Sequence, residues 1–388
     1  GNQALQDNTA NNNTAFGANA LRLTTSGGSN TAVGTQAMDD NTTGGTNTAV
    51  GYQASHSNTI GSGNTSLGYT ALWANTTGSN STAVGYGALD ANTTAGGLVA
   101  VGYNALGSNT TGTNNIAIGH NAMAANTTKI HNVVIGYDAG DAMTTGEGYN
   151  VLIGSYAGGA LTTGSRATCV GYNSGSAMTT GLTYNTAFGM ATLTSCTTGA
   201  NNAAIGYGSL YYQTTGGENT AVGGFNTMHA NTTGFQNCAM GSYCLTTNTT
   251  GAYNVAIGRS SMQLNTTGNS NTALGYATLD ANTTASGNTA IGNSALTSNT
   301  TGHSLVAIGQ SALSSNTTAN YNVAIGGDAL DATTTGHQNV AIGYQALTNA
   351  TAGQNTVIGC YGSNALTSGA ENTIIGYHAN TNATTPNY

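Results

Sequence analysis

Charge is nearly absent from this chain: Asp, Glu, Lys and Arg together make up 4% of its 388 residues, against roughly 25% in typical proteins. The four bases, Arg22, Lys129, Arg166 and Arg259, lie far apart in sequence. No basic stripe exists to follow a phosphate backbone, which argues against nucleic acid as a partner. The same shortage argues against an anionic membrane surface. No apolar run approaches the ~18 residues of a membrane span. Proline occurs once, at Pro386, so nothing upstream removes a ladder hydrogen bond from a strand. The five cysteines, Cys169, Cys196, Cys238, Cys244 and Cys360, form no C-x-x-C pair. They read as small packing residues, with a Cys238–Cys244 bridge as the alternative. The chain opens at Gly1 with no signal-peptide pattern, which reads as a processed or trimmed segment.

What is abundant is Gly, at 58 residues, with Asn, Thr and Ala. Low charge and high Gly suit disorder, but here Val, Ile and Leu recur at fixed intervals. The motif N-T-A-[VI]-G gives 22 anchor glycines, from Gly17 through Gly51, Gly68, Gly85 and Gly102 to Gly376, spaced 16, 17 or 18 residues apart. The residue before the anchor is apolar in every copy. Asn opens the motif in all but four, as at Asn47 and Asn64, and fails at Ser81, Leu98, Ala167 and Leu305. A period held this tightly marks one structural rung per repeat.

The consensus N-T-A-[VI]-G-Y-x-A-L-x-x-N-T-T-G is rich in β-branched and aromatic residues, while its Gly and Asn are poor helix formers. It predicts an all-β fold, a parallel β-solenoid of about 22 rungs of 17 residues, with 1–388 as a single repeat domain without distinct caps. Strands ~4.8 Å apart would make this about 105 Å long. The Ala-Leu segment should pack back beneath the strand and fill a thin interior. N-T-T-G should turn into the next rung, its Asn and Gly tolerating left-handed backbone. Stacked Asn side chains can hydrogen-bond along a column.

Strand residues alternate between faces, so Thr, Val and Tyr share one face and Asn, Ala and Gly the other. If Ala points inward, a stripe of Val and Ile points outward along the whole length. A soluble monomer is not expected to expose such a stripe, and a parallel trimer about a common axis is the simplest cover. The alternative places Val and Ile inside and leaves a monomer. The chain begins and stops part-way through a rung, which suggests either a piece of a longer protein or end-to-end stacking through open sheet edges.

The N-[TS]-A-[VI]-G core, as at Asn47–Gly51 and Asn288–Gly292, resembles the head repeat of YadA-type trimeric autotransporter adhesins. The fuller pattern N-T-A-V-G-Y-x-A-L-x-x-N-T-T-G is similar to repeat arrays of phage and bacterial tail-fibre-domain proteins. The resemblance covers residues 1–385. It implies a left-handed β-roll, three chains to a head, and an adhesive role. The repeat here is longer than that of the adhesin heads, and no neck, heptad stalk, membrane anchor or chaperone pattern is read within residues 1–388.

Chemistry is sparse. The nearest carboxylate grouping is Asp138, Asp141 and Glu147, with Asp39 and Asp40 as another; glycosidases need two carboxyls held ~5–10 Å apart. Asp90, Asp280 and Asp331 share the position after Leu and read as solvated turn residues. His303 and His337 occupy equivalent positions two rungs apart, with Asn320 between, too far for shared zinc at ~2 Å per bond. No catalytic, cofactor or metal residue is assigned. Tyr follows the anchor at ten rungs, including Tyr52, Tyr69, Tyr86 and Tyr103 in succession; this column reads as packing or as a glycan-contact strip. The N-T-T sequons, as at Asn41, Asn75, Asn92, Asn109 and Asn126, read as turns, since glycans on adjacent rungs would crowd. The functional expectation is a non-enzymatic extracellular fibre or adhesin, a tail-fibre shaft or bacterial surface filament, that self-associates laterally or end to end. An ice-binding solenoid and a glycan-binding fibre using the Tyr column are the alternatives.

Overall fold

The computed structural model describes residues 1–180, 184–363 and 366–379; Pro386 lies outside them. These residues contain no helix and 22 short strands, one per repeat, from Thr14–Phe16 to Thr373–Ile375. Equivalent residues pair in parallel, as in Thr48↔Thr65, Ala49↔Ser66 and Val50↔Leu67. This is the all-β parallel solenoid that the spacing predicts. The chain divides into two compact units, Gly1–Ala200 and Asn201–Tyr388, each built in the same way. Rungs of unusual length keep the register of their strands: Val133 pairs with Val151, and Val340 with Thr356.

Each strand turns its central residue inward. Ala49, Ala100 and Ala117 in the first unit, and Ala221, Ala256 and Ala307 in the second, are fully buried. The flanking Val, Ile and Thr point outward, half-buried or exposed. The arrangement with Val and Ile inside is therefore overturned. Its physical reason is lack of room, because Leu72, Leu89 and Leu106 already fill the interior from the opposite wall.

The anchor glycine is explained by contact. At Gly51 φ is +141°, and a Cβ there would lie 2.2 Å from the Gly68 carbonyl oxygen. Only glycine tolerates both the backbone angle and the approach.

The segment after the anchor is a chain of turns. In the rung 119–126, Ala122 donates its amide to Gly119, Ala124 to Asn121, and Asn126 to Met123. The alternate amides of Met123 and Ala125 reach forward to Ala139 and Asp141 of the next rung. Asn121 and Met123 both have φ of 53°, the positive value of the third residue of a type II turn. A left-handed residue with a side chain costs ~1–2 kcal/mol, and the bonds to neighbouring rungs offset it. Left-handed backbone thus lies in the x-A-L segment, which corrects its expected place in N-T-T-G. There the turn is closed by a side chain instead, as Asn75 Nδ2 donates to the Gly78 carbonyl at 3.0 Å.

Two asparagine columns line the interior. In the turn column, Asn58 donates to Asn41 Oδ1 at 2.8 Å and Asn75 to Asn58 Oδ1 at 2.7 Å. In the strand column, the Asn64 amide donates to Asn47 Oδ1 at 2.8 Å, while Asn64 Nδ2 reaches the Gly78 carbonyl at 2.8 Å. Buried carboxamides require such pairing. Full burial of Asn41, Asn75, Asn92, Asn109 and Asn126 leaves these sequons no room for a glycan.

One stretch of the first unit breaks the pattern. The turn column changes from Asn126 to Met143, Leu161 and Met178, while the leucine column changes to Gly140, Gly158 and Gly175, all buried. The strand column carries Leu152 there in place of Ala. A Cβ on Gly140 would meet Met143 Sδ at 2.8 Å, and one on Gly158 would meet the Leu152 methyls at 2.9 Å. Volume has moved from one column to its neighbours, so packing density is kept. Beside this stretch Lys129 is fully buried, and its ammonium donates to the Glu147 and Gly164 carbonyls at 2.8 Å each. Burial lowers its pKa from 10.5 to about 8.

Candidate functional site

The outward strand face continues from Thr and Val into the residue after the anchor. There Tyr52, Tyr69, Tyr86, Tyr103, His120 and Tyr137 stack in one file, with ring centroids 5.0–5.4 Å apart and planes within 7–16° of parallel. The rung spacing of ~4.8 Å imposes this geometry. Each interior ring of the file covers its neighbours' faces and leaves only its edge, with a hydroxyl at the tyrosines, to solvent. Ser155 follows the anchor in the next rung and interrupts the file; Tyr156, one place later, meets Tyr137 and Tyr172 edge-on at 71° and 86°. The sequence-read Tyr column is therefore one packed unit. The ring faces that could stack on a pyranose are already occupied by neighbouring rings.

Next to this file runs a polar one. Asn104 Nδ2 donates to Asn121 Oδ1, and Asn121 Nδ2 to Asp138 Oδ1, both at 3.1 Å. His120 Nδ1 lies 3.7 Å from Asp138 Oδ1. Asp141 sits alongside, its carboxyl raised above the ordinary range by burial and then by the charge of Asp138. Asp138 and Asp141 are thus brought together. Glu147 is not, since it is exposed and pairs with Arg166 at 2.8 Å. Asn104, Ser108, Asn121, Ala124, Ala125 and Asp141 line an open cleft of about 270 Å³.

Other sequence candidates are placed as follows. Asp39 is buried and receives two bonds from Arg22, at 2.7 and 3.2 Å; His56 lies 3.8 Å from Asp39 and 3.6 Å from Asp40. Asp90 and Asp280 are half-buried, not solvated, and burial raises both carboxyls. His303 and His337 are linked through Asn320: the His303 amide donates to Asn320 Oδ1 and the Asn320 amide to His337 Nδ1. Among the described residues no group of three His, Cys, Asp or Glu side chains could hold a metal ion.

All five cysteines are unpaired. Cys238 stands on the outward face while Cys244 is buried and donates to the Ala256 carbonyl, which excludes the alternative bridge. Burial pushes the Cys169 and Cys244 thiols up to about 12 and Cys196 to about 11, so they stay protonated and inert at neutral pH.

Sequence reasoning missed the Asn104–Asn121–Asp138 file. Its signal was available as a polar residue two places after each of three successive anchors.

The chain matches no protein-family model and no curated protein.

Proposed function

We propose that this chain is a non-catalytic structural element of an extracellular fibre, a tail-fibre shaft or bacterial surface filament, whose copies assemble laterally or end to end and whose task is adhesion. One observation carries the reading. Every strand sends its central residue inward and leaves the preceding-anchor residue outside, so that Ile118, Leu274, Ile325 and Ile342 are between 36% and 44% exposed. Repeated rung after rung, this makes a continuous apolar stripe in each unit, beyond what a soluble monomer ordinarily shows. Three copies around one axis would bury it. The scarcity of bases argues against nucleic acid as a partner, and no helix of the described residues is long and apolar enough to cross a membrane.

Sedimentation of the native protein tests this, with electron microscopy of the same sample. Trimers or filaments are the expected result, and a monomer at micromolar concentration would remove the assembly reading. Ice binding has less support. The first Thr of each turn uses its hydroxyl within the stack, as Thr42 does with the Thr59 carbonyl at 3.0 Å. One exposed Thr rank per rung remains, and Thr48 shares its face with Val50 and Tyr52. Thermal hysteresis in purified protein would reverse this preference.

A further inference from the structure

The cleft beside the aromatic file has a specific origin. It lies in the column that holds His56, Trp73, Asp90 and Gln263 in other rungs, and it opens because two successive members are small, Gly107 and Ala124. A Cβ on Gly107 would lie 2.0 Å from Asn104 Oδ1, so glycine there also lets the Asn104 carboxamide lie flat along the wall. The Asp141 carboxylate closes the cleft on the next rung.

Its groups are matched to hydroxyls. Each Asn amide has two N–H groups, and Asn104 and Asn121 each spend one on the file. Each keeps one proton free, Ser108 offers an exposed hydroxyl, and Asp141 offers carboxylate oxygens. Donors and acceptors therefore converge within two rungs, about 10 Å. The volume of about 270 Å³ is below the roughly 300–1,000 Å³ of clefts that enclose drug-sized ligands. The Asp141 carboxylate, with the charge of Asp138 nearby and no Lys or Arg in the lining, repels anions.

We propose that the Asn104–Asn121–Asp141 cleft binds a single neutral pyranose ring through its hydroxyls. This deepens the glycan-contact reading of the Tyr column and moves the contact from the covered ring faces to the polar file next to them. It does not depend on how copies assemble, because the lining residues lie outside the Val and Ile stripe.

Saturation-transfer NMR on the full chain tests it, with methyl β-glucoside, methyl α-mannoside and N-acetylglucosamine as neutral probes and N-acetylneuraminic acid as the anionic one. Transfer to at least one neutral probe is expected, with a Kd on the order of 1 mM, as suits an open polar site. Ala124→Gln, which puts into the cleft a residue the column already carries at Gln263, should weaken that binding at least tenfold. Asp141→Asn should weaken it less, and Ile118→Asp, on the apolar stripe, should leave it unchanged. Circular dichroism confirms that each variant folds, and Asp141→Ala serves if Ala124→Gln does not. No transfer from any neutral probe at about 10 mM, equal transfer to the sialic acid, or wild-type binding by the filled variant would each overturn the assignment. Loss of binding in Ile118→Asp together with loss of assembly would place the sugar at the copy interface instead.

Discussion

Thr333 occupies the rung after Asn316 in the turn column, and both Asn316 Oδ1 and Thr333 Oγ1 are buried without a partner. The carboxamide ladder that runs through Asn265, Asn282 and Asn299 to Asn316 ends there. Thr333→Asn would give Asn316 a donor and the Gly336 carbonyl a second one, removing one unpaired group on balance. We expect a gain of about 1 kcal/mol, read as a higher thermal midpoint. An unchanged or lower midpoint would show that this ladder adds nothing at its end.

Within the ladder the opposite change should be severe. Asn265 donates to Asn248 Oδ1 and accepts from Asn282, both at 2.8 Å. Asn265→Ala leaves an acceptor above and a donor below unsatisfied, each worth ~1–3 kcal/mol. A loss of about 2–6 kcal/mol in denaturant unfolding is expected, against near neutrality for an exposed position such as Thr267→Ala.

Gly175 and Met178 should be coupled. A Cβ on Gly175 would lie 2.2 Å from Met178 Cε, so Gly175→Leu overpacks the interior by roughly 1–3 kcal/mol. Met178→Ala alone opens a cavity at roughly 2–5 kcal/mol. In the double variant the leucine fills the space the methionine vacates. Its loss should be smaller than the sum of the single losses, by ~0.5–3 kcal/mol in a double-mutant cycle. Strict additivity would contradict the exchange of volume between the two columns.

Lys129 gives a pH signature. Its folded pKa, about 8, lies below its unfolded value, so between about pH 8 and 10.5 the unfolded chain holds the proton and the folded chain does not. Stability from this group therefore rises with pH across that window. Compared with Lys129→Met, the wild type should gain ground from pH 7.5 to pH 10.5. Taking the difference between the two proteins removes the common titration of tyrosines and cysteines. A constant difference would mean that the ammonium is not desolvated.

For assembly, Val84→Asp and Ile118→Asp place a charge on the apolar stripe without touching the interior. Sedimentation should show dissociation to monomers with an unchanged circular dichroism spectrum. Retained assembly would locate the contact elsewhere.

The fold was legible because its cause is periodic. The anchor at Gly51 and the buried Ala49 recur in step, and in-register pairing follows from that alone. The direction of Val50 was not legible, since alternation puts an apolar residue on each face and only the leucine packing decides between them. The turns were misplaced for another reason. Rules for left-handed backbone point to Gly and Asn, whereas Met123 and Leu296 adopt it here because adjacent rungs hold their amides. Asp138 and Asp141 stand out as carboxylates, but that one ends an amide file and the other lines the cleft beside it is visible only when Asn104 and Asn121 are stacked in register with them.

A molecule made of interchangeable layers has an addressing problem. A folding chain that skips one layer meets nearly the same partners as one that does not, so most of this sequence cannot tell the two apart. The stretch around Lys129, Met143 and Leu152 can, because its bulky and empty positions fit only each other. Those irregular layers give the chain a landmark from which the layers on either side can be counted.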